Sequence, residues 1–397
     1  MHLPLAGITV LEFTHAVMGP TAGLILADLG AEVIHVEPPD GDATRRLKGF
    51  GTGYFSFYSR NKRSLAIDIK SEAGKKIIYQ LTGRIDIVLE NFGPGTMNRL
   101  GYGFDQLKEI NPRLIYCSLK GFLKGPYGNR HAMDEVVQMM GGLAYMTGRP
   151  GDPLRAGTSV IDITGGLFGC LGILTALYER DKTGEGKWLE AALFETTAFL
   201  MGQHMAYGAI TGEAVPPMPA RISAWSIYRI FETQDQQQIF IGIISEKHWT
   251  RFCENFQRLD WLADIRLSTN NDRILHREWF LPEVEKTIRS FPMVAIIEKC
   301  EQAEIPFSPI ARPEDLFEDP HLRANGSLLE TKLTDGSIAS LPKIPLAYGD
   351  SRIEKRSDPP TIGQDNEDIL LSLGLSEHNI NHLISEGIIS GKNQNYK

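Results

Sequence analysis

Ile8-Thr9-Val10-Leu11-Glu12-Phe13, then Gly19-Pro20-Thr21 ahead of Ala22-Gly23-Leu24-Ile25-Leu26-Ala27-Asp28-Leu29, then Gly30 and Ala31-Glu32-Val33-Ile34-His35-Val36-Glu37, is the stretch that decides the fold class. The first short β-branched run predicts a strand, the apolar octet a helix that stops at Gly30, and the last run a second strand. About 30 residues is the length of one strand-helix-strand unit. Two parallel strands with a right-handed crossover are therefore expected, and a ligand site at their carboxyl ends. In the turn His15 to Gly23, Gly19 and Gly23 permit close backbone approach and the helix N-terminus offers amides to an anion. A tight turn with no ligand would look the same.

The alternation continues outward. Gly74 to Leu81 reads as a helix, Ile85 to Glu90 as a buried strand, Phe104 to Ile110 as a helix and Leu114 to Leu119 as a further strand. An α/β sheet is expected from residue 1 to about 200. The uncharged run Ile163 to Tyr178 falls short of the roughly 20 residues that span a bilayer, and reads as a core helix. After Pro216-Pro217-Met218-Pro219 the texture changes. Ser226 to Thr233 and Gln238 to Ile244 read as a hairpin, helices are expected from Glu246 and Pro282, and this second, smaller α+β domain ends near Ile310. A short helix from Pro313, strands between Leu328 and Leu346 that turn at Asp335-Gly336, and a frayed tail from Lys392 to Lys397 follow.

With 397 residues, 42% of them hydrophobic and 23% charged, the chain has a globular make-up large enough for two or three domains, which excludes collagenous and disordered classes. The 41 Lys and Arg against 49 Asp and Glu leave a net charge of -8. That balance argues against sequence-independent binding to nucleic acid or to an anionic membrane, so an anionic ligand must be met locally. Cys117, Cys170, Cys253 and Cys300 lack the spacing of a zinc site and are expected to be reduced and mostly buried. The opening Met1 to Gly7 lacks the pattern of a signal peptide, so a cytoplasmic location is expected and Asn325-Gly326-Ser327 reads as a chance glycosylation match.

Three features carry chemistry. Arg45 to Lys76 holds nine basic residues (Arg45, Arg46, Lys48, Arg60, Lys62, Arg63, Lys70, Lys75, Lys76) against the acids Asp68 and Glu72. Such segregation fits a phosphate-bearing ligand, whereas the plainer alternative is a solvated face. Asn91-Phe92-Gly93-Pro94-Gly95 follows a strand and offers backbone and an amide side chain to a ligand, with Arg99 close behind. Asp162 stands where the long apolar helix begins. It would serve as an N-cap there, and the helix N-terminus would keep it ionised at about its unperturbed pKa of 3.9 or lower, ready as a nucleophile without a general base. No GxGxxG follows the first strand, and no Walker A, GxSxG or HExxH occurs.

Phe13-Thr14-His15-Ala16-Val17-Met18-Gly19-Pro20, Asp28 to Glu37, Asn61-Lys62-Arg63-Ser64, Glu90 to Gly95, Arg99-Leu100-Gly101, Asn111 to Tyr116, Lys182 to Gly186, Asp272-Arg273 and Ile362-Gly363-Gln364-Asp365 together resemble the class III CoA-transferases, the CaiB/BaiF or formyl-CoA transferase-like family, over nearly the whole chain. The resemblance implies Asp162 as nucleophile and CoA contacts from His15, Ala16, Val17, Gly19, Ile67, Lys70, Asn91, Phe92 and Arg99. It implies an interlocked homodimer with a Rossmann-like large domain over 1–205 and 328–397, a small domain over 220–312, and linkers at 206–219 and 313–327. Coenzyme A and acyl-CoA enter as substrates, with no metal and no tightly bound cofactor. The implied chemistry moves CoA to a small carboxylic acid through an aspartyl anhydride and an aspartyl-CoA thioester.

Three departures from formyl-CoA transferase make oxalate and formate doubtful substrates: Val17 in place of a glutamine, Met133 in place of a tyrosine, and no glycine-rich loop between Pro219 and Ser226. A small dicarboxylate such as succinate, glutarate or a branched C5 diacid is the expected acceptor, its second carboxylate held by an arginine. Arg45, Arg46, Arg149 and Arg155 are near the motifs, and Arg46 is the first choice because it follows a strand's carboxyl end. Two rivals stand beside this reading. An α-methylacyl-CoA racemase needs a second base just before Asp134, where this chain has Met133 and the nearest histidine is His131. A dinucleotide-binding protein would use Glu37 at the end of the second strand, but lacks the glycine fingerprint.

Overall fold

Val10 points to one side of the first strand and Leu11 and Phe13 to the other, and each side finds a hydrophobic core of its own. A strand buried on both faces reads as a nearly continuous apolar run, which is why Thr9–Phe13 (β1) is legible in the sequence. In the computed structural model, which describes residues 3–221, 223–347, 349 and 353–391, the chain then forms α1 (Met18–Asp28), β2 (Glu32–Glu37), α2 (Tyr54–Tyr58), β3 (Lys62–Ala66) and α3 (Glu72–Thr82). Next come β4 (Ile87–Glu90), α4 (Thr96–Leu100), α5 (Phe104–Ile110), β5 (Ile115–Lys120), α6 (Asp134–Met140), α7 (Leu143–Thr147), α8 (Val160–Thr183) and β6 (Trp188–Ala192). Met1, His2 and the tail Lys392 to Lys397 lie outside the described residues.

All six strands are parallel, in the order β3-β2-β1-β4-β5-β6. The order reverses between β1 and β4, which creates a crevice beyond their carboxyl ends where an α/β sheet places its ligand. α1 and α8 cover one face of the sheet with Leu26, Ile161 and Ile173; Ile78, Leu107 and the chain's end, with Leu370, Leu383 and Ile389, cover the other. Two strands, β3 and β6, carry no strand signal in the sequence reading. β3 is Lys-Arg-Ser-Leu-Ala, and its polar half is stable inside because each buried polar group has a partner there.

The helix α8 is longer than the uncharged run that suggested it, and by length and hydropathy alone it could cross a membrane. Its inner side packs on α1, β5 and β6, while Leu167, Leu171, Leu174 and Tyr178 form an outward stripe that is 51%, 59%, 37% and 66% exposed. The four cysteines are buried and unpaired.

By contact density the chain divides into two units, Met1–Ala220 with His321–Lys397, and Arg221–Pro320. In the second, β7 (Tyr228–Glu232), β8 (Gln238–Gly242) and β9 (Phe307–Pro309) form an antiparallel sheet, so the expected hairpin gains a third strand from sequence far away. Pro282 does not open a helix as expected. It lies inside Arg277–Arg289, where buried Phe280, Leu281, Val284 and Ile288 hold the helix despite the hydrogen bond a proline cannot donate.

Candidate active site

At the switch point Phe13 of β1 lies beside Glu90 of β4, so the segments that leave the two strands emerge together. Asn91 ties them: the His15 N–H donates to Asn91 Oδ1 at 3.0 Å, and Asn91 Nδ2 donates to the His15 carbonyl at 2.8 Å. The side-chain amide expected to face a ligand is thus used as a brace. The rings of His15 and Phe92 lie 5.8 Å apart. Ala16 holds a φ of 63°, a left-handed conformation that costs a non-glycine residue about 1 kcal/mol and is kept only where its surroundings enforce it. Gly19 is required because a Cβ there would stand 2.5 Å from Thr14 Cβ and 3.0 Å from Asn91 Cγ. The second loop is braced from below, where Glu90 accepts from the Phe92 N–H at 3.0 Å and pairs with Lys120 at 2.6 Å.

The other implied CoA contacts divide by exposure. Lys70 is exposed beyond β3, and Arg99 is exposed, its side chain hydrogen-bonded within its own loop at Pro94 O (3.2 Å) and Thr96 Oγ1 (2.9 Å). The side chains of Val17 and Ile67, by contrast, belong to the hydrophobic interior, Ile67 bridging to Ile389. These two can offer a ligand backbone only.

The basic stretch is neither a solvated face nor a single ligand patch. Arg60 pairs with Asp28 at 2.7 Å and Lys62 with Glu12 at 2.8 Å, all four side chains being 1% exposed or less, and Arg45 makes a bidentate pair with buried Glu37. Arg63 pairs with Glu32 and Asp365, and Arg46 with the exposed Asp40 at 3.3 Å. The segregated charge is therefore largely matched by acids of β1, α1 and β2, which sequence distance hides. Burial alone would raise the Glu12 carboxyl, but the Lys62 ammonium and His35 outweigh it and hold Glu12 below the usual carboxylate range. For His35 burial works the other way, and its hydrogen bonds to Asp42 and Glu12 overcome it, lifting the imidazole to about 9.

Asp162 lies in the first turn of α8 but does not cap it; Ser159 is the N-cap residue, and it supplies no side-chain hydrogen bond. The cap comes instead from Asp134 of α6, whose Oδ2 accepts from the N–H groups of Ile161 (2.8 Å) and Asp162 (3.0 Å). Gly165 and Gly166, on the same helical face as Asp162, let α1 approach: a Cβ on Gly166 would stand 2.7 Å from the Met18 carbonyl oxygen. This close crossing brings the Asp162 turn against the start of α1, the segment that carries the His15 to Gly19 turn.

The expected low pKa of Asp162 is corrected. Burial, reinforced by the charges of Asp134 and Glu135 and opposed by Arg155, raises its carboxyl to about 7. The helix N-terminus had suggested the opposite direction, but Asp134 already occupies two of its N–H groups and adds a like charge. Arg155 is ion-paired to Glu135. Tyr58 of α2 faces the same place, its phenol raised to about 12 by burial and in part by Asp162. Asp134, Gln138 and Tyr58 are the site residues that sequence reasoning did not assign. No local signal marks them, because each reaches Asp162 or its supports from another element.

Among the described residues no group of three His, Cys, Asp or Glu side chains is arranged to hold a metal ion. A parallel sheet of this order, two loops braced together at its switch point and a half-buried carboxylate raised toward neutrality define an α/β protein with a candidate site where such sheets bind their ligands. The model of CoA-transferase family III matches residues 5–366. The formyl-CoA:oxalate CoA-transferase of Rhodopseudomonas palustris is 32% identical over 414 residues, covering 97% of each chain. The succinyl-CoA:glutarate CoA-transferase of Homo sapiens is 29% identical over 405 residues, covering 97% of this chain and 90% of that one. In three dimensions a CAIB/BAIF family protein from Brucella suis matches with a TM-score of 0.84 at 28% identity, over 94% of this chain and 100% of the other. The chain belongs to CoA-transferase family III. It is a CoA-transferase, and CoA thioesters are its substrates.

Proposed function

We propose that the enzyme moves CoA from an acyl-CoA to a small carboxylic acid with Asp162 as covalent nucleophile. The observation that carries this reading is a half-buried carboxylate raised to about 7, set by the Gly165-Gly166 crossing against the turn that follows β1. An Asp162 oxygen attacks the thioester carbonyl and CoA leaves as thiolate, giving a mixed anhydride. The thiolate attacks the aspartyl carbonyl, the donor acid departs, and an aspartyl-CoA thioester remains. The acceptor carboxylate then attacks that carbonyl and expels the thiolate again. Attack of the thiolate on the acceptor's acyl carbon yields the new acyl-CoA and returns the Asp162 carboxylate. Hydroxylamine or borohydride added during turnover should mark Asp162 alone, as read by peptide mass spectrometry; marking elsewhere would overturn the assignment. A racemase would need a second base, and Met133 at that position is 64% exposed and cannot serve.

The nucleotide of CoA is held, in this reading, by the helix α1 start and by Lys70 and Arg99, two exposed cations that follow β3 and the Asn91 loop. Lys70→Ala and Arg99→Ala should each raise the KM for acyl-CoA about tenfold with kcat within threefold, since contacts remote from the reacting carbonyl act on ground and transition states alike. Equal affinity for CoA and for CoA lacking its 3′-phosphate would count against Lys70.

The acceptor we propose is a small dicarboxylate. Oxalate and glutarate, named for two relatives, are both dicarboxylates, and among the described residues Arg46 beyond β2 has only the exposed Asp40 as ionic partner, a pair of small net worth that a substrate carboxylate can replace. Arg46→Gln should cost about 2 to 4 kcal/mol in kcat/KM for a diacid and much less for a monoacid of equal length. Equal turnover of both by the unmodified enzyme would defeat the proposal. The outward apolar stripe of α8 supports a homodimer, interlocked as in the family, in which a second copy covers Leu167, Leu171, Leu174 and Tyr178. Sedimentation at the mass of one chain would exclude it.

A further inference from the structure

Asp134 is 2% exposed, and both of its carboxylate oxygens are engaged. Oδ2 takes the N–H groups of Ile161 and Asp162, and Oδ1 accepts from Nε2 of Gln138, itself fully buried. Gln138 in turn accepts the Ala156 N–H on its Oε1 at 2.8 Å. A relay from Ala156 through Gln138 and Asp134 thus fixes both the chain entering α8 and the turn that bears Asp162. The arrangement is unlike ordinary capping. A neighbouring serine or a main-chain water would satisfy the same N–H groups without a buried charge, and Ser159 stands at the N-cap position without doing so.

We propose that Asp134 is the positioning residue of the transfer reaction: held by Gln138, it grips the peptide N–H of the nucleophile itself and fixes where the Asp162 carboxylate points. The proposal rests on Asp162 being the nucleophile. Three consequences follow from the geometry. Acyl transfer requires the carboxylate oxygen to meet the thioester carbon along one line at about 3 to 3.5 Å, so a turn free to fray would lose productive encounters. The N–H groups at the helix start, once engaged by Asp134, no longer draw the Asp162 charge toward the helix end, which leaves the nucleophile less stabilised and more reactive. The fixed negative charge nearby also keeps Asp162 basic. The charged and titratable groups that face Asp162 are Asp134 and Glu135 from α6, Arg155 from the preceding loop and Tyr58 from α2. Arg155 and Glu135 neutralise one another, so Asp134 is the uncompensated one.

The test is Asp134→Asn in the full-length enzyme. Asparagine keeps the shape and an acceptor oxygen but removes the charge. The expected result is a fall in kcat of at least tenfold, a KM for acyl-CoA within twofold, and a midpoint of the acid limb of kcat/KM against pH that moves down by half a unit or more. A kcat within threefold and an unmoved midpoint would overturn the proposal. If that variant is not recovered folded, Gln138→Leu, which frees Asp134 without removing its charge, should lower kcat with KM and midpoint unchanged, and normal kcat there would overturn it. Hydroxylamine trapping in the unmodified enzyme separates the two readings. A label away from Asp162 defeats the nucleophile assignment, whereas a label on Asp162 with a normal Asp134→Asn variant defeats only the role of Asp134.

Discussion

Asp162→Ala should lose roughly 10³ to 10⁵-fold in kcat while the protein folds and binds CoA, because the neighbouring carboxylates are committed elsewhere, Asp134 to N–H groups and Gln138, and Glu135 to Arg155. Loss of less than tenfold would end the mechanism. The pH dependence follows from the same residue. Only the carboxylate attacks, so kcat/KM should rise with pH through a midpoint close to 7, well above the 4 of an ordinary aspartate. The stability of the protein should move oppositely. A carboxyl whose folded pKa exceeds its unfolded value holds its proton more tightly when folded, so stability is undiminished below about pH 4, declines between 4 and 7, and is fully reduced above 7. Asp162→Asn removes that penalty together with the repulsion from Asp134 and Glu135. It should gain about 2 to 4 kcal/mol at pH 8, the lower figure allowing for partial solvent access, and almost nothing at pH 4. Thermal melts of the two proteins at both pH values check this, and a variant less stable at pH 8 would show that the environment is not hostile to the charge.

Lys62→Met should cost about 3 to 5 kcal/mol, lowering Tm by roughly 10 °C, since it takes from the buried Glu12 the stronger of its two cations and leaves only His35 beside it. Lys62 Nζ reaches both Glu12 oxygens, at 2.8 and 3.0 Å, and the Pro20 carbonyl at 3.2 Å. The packing around the pair is tight: a Cβ on Gly23 would lie 1.9 Å from Glu12 Oε1. The double variant Glu12→Leu with Lys62→Met should recover much of the loss, because a buried pair removed whole costs far less than one broken. If the single variant melts with the unmodified protein, His35 alone compensates Glu12. Because Lys62 also holds the first turn of α1, the variant should raise the KM for acyl-CoA as well, which links the buried pair to the ligand turn.

Much of the large α/β region is legible before any coordinates, since a parallel sheet needs apolar runs of strand length separated by helices, and such runs are local. β1, α1, β2, β4, α5 and β5 show themselves in this way, as do the turns after β1 and β4. β3 escapes the same reading because Lys62, Ser64 and their neighbours are polar residues made tolerable by partners on other elements. Periodicity records which residues prefer to leave water, and not which charges will be paired once they have left it.

The sequence by itself determined the α/β class, the parallel pairing of the first two strands, the places of Asn91 and the His15 to Gly19 turn just past strand ends, and that of Asp162 at the start of the long helix. The tertiary structure decided what those residues touch. Only the strand order puts β4 beside β1, so that Asn91 can brace His15, and only the crossing at Gly165-Gly166 sets Asp162 against α1. The ionisation of Asp162 was read in the wrong direction from its helix position alone. A pKa depends on excluded water and on charges brought from elsewhere, and here Asp134, 28 residues away in the chain, takes the helix's N–H groups and adds its own negative charge.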